Sequence, residues 1–221
     1  MERIFVDAGT TWTKILKINN EKKEYNVLKS ADFKKLNLKI TKCTGHNLVK
    51  TQGIYENEVV ALAHGAKKYL EDDFIALDLG SRDIKYIQYK NKKFKDMDWN
   101  CSCASATGAT IEMLLKFYDV EVSDLAYTSE KYAITCGIFG LEKIMDDVAQ
   151  GLEPKIAISK FVHGIAFNAF NFTKKPSKLA ISGGFCENQC FIDSMRQYCE
   201  VALLGRYVLV DGLRTMHESE H

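Results

Sequence analysis

Two stretches of the chain carry residue types that handle phosphate. D-A-G-T-T-W-T-K sets out Asp7, Gly9, Thr10, Thr11 and Lys14, and D-L-G-S-R-D-I-K sets out Asp78, Gly80, Ser81, Arg82 and Lys85. Asp7, Gly9, Thr10 and Lys14 recur as Asp78, Gly80, Ser81 and Lys85 at a constant offset of 71 residues. The glycine lets the backbone turn tightly and approach a ligand closely. Hydroxyls and N–H groups can bind phosphate oxygens, and an aspartate at the strand end can hold a hydrated Mg²⁺. A single D-x-G turn is also an ordinary hairpin signal. The in-register pair, set in the same strand-turn-strand surroundings, instead reads as two hairpins that clamp a polyphosphate between them.

A third stretch, W-N-C-S-C-A-S-A-T-G-A-T, puts Cys101 and Cys103 ahead of a run of small residues that opens a helix. The chain has seven cysteines, at 43, 101, 103, 136, 186, 190 and 199. Its first residues, M-E-R-I-F-V-D-A-G, lack the basic start and long apolar stretch of a signal peptide, and no run approaches the ~18 apolar residues of a membrane helix. The expected location is therefore the cytoplasm. There each cysteine is a buried apolar side chain, a metal or cluster ligand, or a reactive thiol, and the odd count argues against a disulfide framework.

The elements that must position these residues follow from periodicity. Strands are expected near 3–8, 12–19, 25–29 and 37–43, then a helix near 57–70, then strands near 74–79, 84–90 and 94–99. Helical stripes follow: Ile111, Leu114, Leu115 and Tyr118; then Leu141, Ile144, Met145 and Val148, closed by Gly151; then Ile158, Phe161, Val162, Ile165 and Ala169. The aromatic and Met residues on these stripes read as core, and His64 and His163 as structural. K-L-A-I-S-G-G-F is a strand entering a glycine turn at Ser182, Gly183 and Gly184, with a helix from about 188 to 199. The fold class is a two-lobed α/β protein, with a shortened first lobe over 1–72 and a second over 73–221 that carries the cysteines of interest. The 30 Lys and Arg balance 29 Asp and Glu, so charge gives no reason to expect nucleic acid or a polybasic membrane contact. The lysines at 90, 92, 93 and 95 read as a solvated hairpin tip.

With these motifs in order, the chain resembles the superfamily of actin, sugar kinases and heat-shock chaperone ATPases. Within it, the chain is similar to the ATPase activators of 2-hydroxyacyl-CoA dehydratases and the ATPase subunits of benzoyl-CoA reductases. D-A-G-T-T-W-T-K resembles that family's first phosphate motif, L-D-L-G-S-R-D-I-K its second, and I-S-G-G-F-C-E-N its adenosine-side turn. C-A-S-A-T-G-A-T-I-E and C-G-I-F-G-L-E-K-I resemble the segments that carry its cluster cysteines.

The resemblance implies a duplicated actin-like (ribonuclease H-like) fold and a homodimer in which Cys103 and Cys136 of each subunit hold one shared 4Fe-4S cluster. Cys101 falls where the family has no known ligand. Both cysteines precede helix starts, whose positive end stabilises a thiolate, and two ligands from each of two subunits complete the set of four. It further implies Mg-ATP in the cleft, with Asp7 and Asp78 orienting Mg²⁺ and water. Gly9, Thr10, Thr11, Lys14, Gly80 and Ser81 would lie at the phosphates, and Ser182, Gly183 and Gly184 on the adenosine side. The implied partners are a dehydratase or reductase and an electron donor such as ferredoxin or flavodoxin. Arg82 stands where the family has glutamine; a permanently charged donor could hold the terminal phosphate but not position water as glutamine does. Two other readings use the same fold: a small-molecule kinase of the N-acetylhexosamine type, and a nucleotide-binding relative without catalysis.

Overall fold

The computed structural model describes residues 2–46, 53–71, 73–100, 107–135 and 137–220. Cys101, Cys103 and Cys136 lie outside the described residues. Strand β1 (Arg3–Ala8) pairs antiparallel with β2 (Trp12–Asn19), and β2 with β3 (Lys22–Lys29). On its other side β1 pairs parallel with β4 (Lys42–Thr44), which is followed by the short β5 (Ile54–Tyr55). The second sheet is built from β6 (Phe74–Leu79), β7 (Ile84–Lys90), β8 (Lys93–Asn100), β9 (Lys178–Ser182) and β10 (Glu200–Gly205). Its order β8-β7-β6-β9-β10 repeats β3-β2-β1-β4-β5, with the same antiparallel and parallel senses. This is the duplicated actin-like fold.

The hairpins repeat down to their turns. Asn20 and Glu21 join β2 to β3 with positive φ at both positions, and Asn91 and Lys92, again 71 residues on, join β7 to β8 in the same way. Paired left-handed residues give the turn whose twist matches the flanking strands, and asparagine tolerates that region best after glycine.

Helices α1 (Ser30–Phe33), α2 (Glu58–Ala66), α3 (Gly108–Tyr118), α4 (Gly137–Ala149), α5 (Pro154–Phe172), α6 (Gln189–Arg196) and α7 (Val208–Ser219) complete the layers. Ile158, Phe161, Val162 and Ile165 of α5 are fully or almost fully buried, as their spacing implies. Met145 on α4 is not core: it is 55% exposed, because the helix buries Ile144 on its inner face and turns Met145 outward. The strand expected over 37–43 is reduced to Lys42–Thr44, where parallel pairing with β1 becomes available. The last strand and helix, β10 and α7, continue the chain beyond the expected elements. Among the described residues no helix is long and apolar enough to cross a membrane.

The two halves are joined by a helix crossing. Helix α2 packs against β6 and β7 of the second sheet, while α7 packs against β1, β2 and β4 of the first, and the two helices lie on one another. Phe5, Leu16, Leu62, Ile87, Val208 and Leu213 are buried in the core that they share. The segments in contact read A-L-A-H-G-A (61–66) and V-L-V-D-G-L (208–213), so Leu62 and Gly65 match Leu209 and Gly212. A Cβ on Gly65 would stand 2.0 Å from the Val208 carbonyl oxygen, and one on Gly212 would stand 1.9 Å from the Ala61 carbonyl oxygen. Each glycine admits the other helix's backbone. Gly65→Ala or Gly212→Ala should therefore lower stability by about 1–3 kcal/mol through overpacking. The denaturant midpoint measures this, and a loss within ~0.5 kcal/mol of zero would contradict so close a crossing.

Candidate functional site

The two repeated hairpins meet between the sheets. In each ladder the aspartate lies opposite the repeated lysine, Asp7 across from Lys14 and Asp78 across from Lys85. The parallel neighbour supplies a hydroxyl residue at the same level: Thr44 beside Asp7, and Ser182 beside Asp78. Each is followed by a glycine with positive φ, +103° at Gly45 and +90° at Gly183. A Cβ there would run into the end of the central strand, the Ala8 carbonyl oxygen at 2.4 Å for Gly45 and the Leu79 carbonyl oxygen at 3.0 Å for Gly183. The duplication thus covers a strand-end aspartate, its lysine, and a hydroxyl-glycine turn. Only the Ser182-Gly183 copy of that turn is among the residues expected from the sequence; Thr44-Gly45 in K-C-T-G-H is its counterpart.

The two lysines do different work. Lys14 Nζ donates to Asp7 Oδ2 at 2.9 Å and lines the cleft between the lobes. Burial opposes its charge, but Asp7 and Asp78 together hold its pKa above the ordinary lysine value. Lys85 is 2% exposed and meets three carboxylates: Glu58 Oε2 at 2.7 Å, Asp78 Oδ2 at 3.2 Å and Asp83 Oδ2 at 3.3 Å. Burial again opposes the charge, and Asp78, Glu58 and Asp83 outweigh it and raise the pKa. Asp78 also accepts from Ser182 Oγ at 2.9 Å. Burial disfavours its ionised form, but Lys85 and Lys14 prevail and hold its pKa below the usual carboxylate value. Lys14 is therefore the cation that faces the cleft, and Lys85 is committed to the protein.

The cleft has a volume of about 630 Å³, within the range of small-molecule sites. Of the expected residues, Lys14, Gly80, Ser81 and Gly184 line it. Asp7, Asp78, Ser182 and Gly183 are buried beside them, whereas Thr10 and Arg82 are exposed on their turns. The first turn is held by Ser30, whose hydroxyl donates to the Gly9 carbonyl at 2.7 Å and whose amide donates to the Thr11 carbonyl at 2.9 Å. Across the mouth of the cleft, Trp12 Nε1 of β2 donates to Glu112 Oε1 of α3 at 2.7 Å.

The second turn is tied to the start of α3. The Gly80 amide donates to the Asp83 carbonyl at 2.9 Å, closing the turn. The Gly80 carbonyl accepts from the Gly108 amide at 3.2 Å, and the Ser81 carbonyl accepts from the Ala109 amide at 3.0 Å and from Thr107 Oγ1 at 2.5 Å. A Cβ on Gly108 would lie 3.2 Å from the Gly80 carbonyl oxygen, so glycine permits this approach. The orphan amides of a helix N-terminus are satisfied by the carbonyls of the Gly80-Ser81 turn.

Sequence reasoning missed a cluster behind Lys85. Glu58 opens α2, Asp83 closes the β6–β7 turn, and His46 follows β4; all face one another. No short motif marks them, because three separate segments supply them. Burial, only partly offset by Lys85, raises the Glu58 pKa above the usual carboxylate value. The remaining described thiols are poor candidates for chemistry: burial pushes Cys186, Cys190 and Cys199 each up to about 11. His163 stands between the Tyr198 hydroxyl at 2.7 Å and the Glu130 carbonyl at 3.2 Å.

No family model matches the chain. The (R)-2-hydroxyglutaryl-CoA dehydratase activating ATPase of Acidaminococcus fermentans is 28% identical over 146 residues, covering 62% of this chain and 56% of that protein. The match thus spans little more than half the length of that relative. Among solved structures, component A of the A. fermentans (R)-2-hydroxyglutaryl-CoA dehydratase gives a TM-score of 0.81 at 17% identity, covering 100% of both chains. The activator of the 2-hydroxyisocaproyl-CoA dehydratase from Clostridium difficile, with bound ADPNP, gives 0.82 at 17% identity, covering 100% of this chain and 96% of that one. The structural matches establish the fold, and together with the sequence match they bear out the resemblance of this chain to the ATPase activators of 2-hydroxyacyl-CoA dehydratases.

Proposed function

We propose that the protein is an Mg-ATP-driven activator that passes low-potential electrons to a dehydratase or a related reductase. The observation that supports this best is the set of hydrogen bonds from Thr107, Gly108 and Ala109 to the Gly80-Ser81 carbonyls. A phosphate turn wired into a helix start gives nucleotide chemistry a lever on the segment just before that helix. In this reading Lys14 and the turn amides hold the phosphates, Asp7 and Asp78 order the hydrated Mg²⁺ of the substrate, and Ser182, Gly183 and Gly184 face the adenosine. Arg82, exposed beside Ser81, holds the terminal phosphate without orienting water, so basal hydrolysis is slow. When the terminal phosphate leaves, the Gly80-Ser81 turn relaxes and α3 moves with it.

The electron-carrying group in this reading is a 4Fe-4S cluster shared by a homodimer, with Cys103 and Cys136 from each subunit as ligands. Helices α3 and α4 begin at Gly108 and Gly137, so both cysteine positions shortly precede a helix N-terminus, and the positive end of each helix suits thiolate ligands of an anionic cluster. A bound cluster would supply the one-electron step; the chain's own part is to move its ligand segments. An electron donor such as ferredoxin or flavodoxin and a cytoplasmic location complete the proposal.

Asp7→Asn and Asp78→Asn should each lower Mg-ATP turnover by about 100-fold or more. Asparagine is preferred to alanine because it keeps a polar partner for the buried lysines. Steady-state phosphate release from both variants measures this, and unaltered turnover in both would remove the hairpins from the reaction.

Anaerobic iron and sulfide analysis tests the cluster. Cys103→Ser or Cys136→Ser should each abolish bound iron, since one change removes two of four ligands from a symmetric dimer. Cys101→Ser should leave the iron content unchanged. A protein that binds no iron yet phosphorylates a small molecule would be a kinase of this fold; retention of iron in Cys136→Ser would show that the ligands were assigned wrongly.

A further inference from the structure

Four buried carboxylates, Asp7, Asp78, Glu58 and Asp83, gather at the base of the cleft, with two buried or nearly buried ammonium groups, Lys14 and Lys85. Lys14 pairs with Asp7, and the single charge of Lys85 is shared among Glu58, Asp78 and Asp83, so these two lysines leave the carboxylates in excess. Buried charge without compensation is costly. Lys85 holds only one oxygen of Glu58, Oε2; Oε1 has no hydrogen-bond partner among the described residues, although the residue is 5% exposed. His46 Nδ1 stands 3.2 Å from that Oε1, and its Nε2 stands 3.4 Å from Asp83 Oδ2.

We propose that His46, Glu58 and Asp83 form a binding site for one divalent first-row transition cation. A cation takes one ring nitrogen of a histidine, and the 3.2 Å between His46 Nδ1 and Glu58 Oε1 is close to the edge of a tetrahedron with metal–ligand distances of about 2.0–2.1 Å. Asp83, which faces Nε2 at 3.4 Å, would turn its carboxylate to join them, from within the 4.8 Å that spans one ligand atom of each residue. One imidazole and two carboxylates suit zinc, cobalt, manganese or ferrous iron, and the nitrogen donor disfavours magnesium and calcium.

The surroundings are built as the outer shell of such a site would be. Trp99 Nε1 donates to Asp83 Oδ2 at 2.5 Å, Lys85 fixes the Glu58 oxygen that the metal does not need, and the His46 ring lies parallel to the Trp99 ring, 7° between planes and 5.7 Å between centroids. Hydrogen-bonded carboxylates and a ring held in one orientation are what keep metal ligands in place. The cation would join the loop after β4 in the first lobe to the β6–β7 turn in the second. The site uses no nucleotide, so it stands or falls apart from ATP hydrolysis.

Cobalt is the probe, because its spectrum separates nitrogen and oxygen ligation from thiolate ligation. The full chain carrying Cys103→Ser and Cys136→Ser, which remove the thiolates assigned to the cluster, should after stripping with chelator take up about one Co²⁺ per chain in the absence of nucleotide, gain thermal stability, and show weak visible bands without a thiolate charge-transfer band. His46→Gln and Glu58→Gln should each weaken uptake about tenfold or more while keeping the native circular dichroism. Absence of Co²⁺ uptake, a thiolate spectrum, or uptake unchanged in folded His46→Gln would overturn the proposal. If neither variant folds, the stoichiometry and spectrum of the Cys103→Ser/Cys136→Ser chain with His46 and Glu58 intact decide it.

Discussion

The ammonium group of Lys85 holds this molecule's centre together. It is sealed from water and meets carboxylates from three elements: Glu58 at the start of α2, Asp78 at the end of β6, and Asp83 at the close of the following turn. Its raised pKa means that the folded state keeps a proton that the unfolded chain would release first. The stabilisation is therefore complete below the ordinary lysine pKa and is lost only as pH climbs toward the higher folded value. Three acids converging without this cation would repel one another in a poorly solvated place, and breaking such a buried pair costs about 3–5 kcal/mol. The turn that Lys85 anchors through Asp83 is the one whose carbonyls receive α3. The interaction thus reaches from the lobe interface to the helix that follows Cys101 and Cys103 in sequence.

Duplication explains why that centre looks as it does, and divergence explains how it works. Both halves place an aspartate, a lysine, and a hydroxyl-glycine turn at the end of the central strand. The first half keeps its lysine at the cleft wall, and the second buries it. Lys14 has Asp7 as its bonded carboxylate, so donors remain for a ligand. Lys85 spends its donors on the protein. In the proposed reading the first side grips phosphate, while the second connects the Gly80-Ser81 turn to α3.

Legibility in the sequence followed contiguity. Asp7 to Lys14 and Asp78 to Lys85 sit within single hairpins, so their spacing alone revealed the repeat, the strands, and the two-lobed fold. The Ser182-Gly183 turn was legible because an apolar strand runs straight into it. Thr44-Gly45 escaped notice because its strand is three residues long, and a strand that short leaves no alternation to read. The match of α7 to α2 was hidden by its offset of 147 residues, different from that of the hairpins. His46, Glu58 and Asp83 had no local signature at all; only the pairing of β1 with β4 and the packing of α2 on the second sheet bring them together. Met145 misled because a helical stripe fixes which residues share a face, but the packing partners decide how much of that face is covered.

The coupling of the phosphate turn to α3 can be measured amide by amide. Hydrogen exchange at Gly108 and Ala109, whose N–H groups donate to Gly80 and Ser81, should differ by about tenfold or more between the ADP-bound protein and the protein bound to a non-hydrolysable ATP analogue. The Ile181 amide in the core of β9 should exchange alike in both. Equal exchange at Gly108 and Ala109 in the two nucleotide states, with nucleotide binding confirmed in each, would contradict a turn that passes the state of the terminal phosphate to the helix.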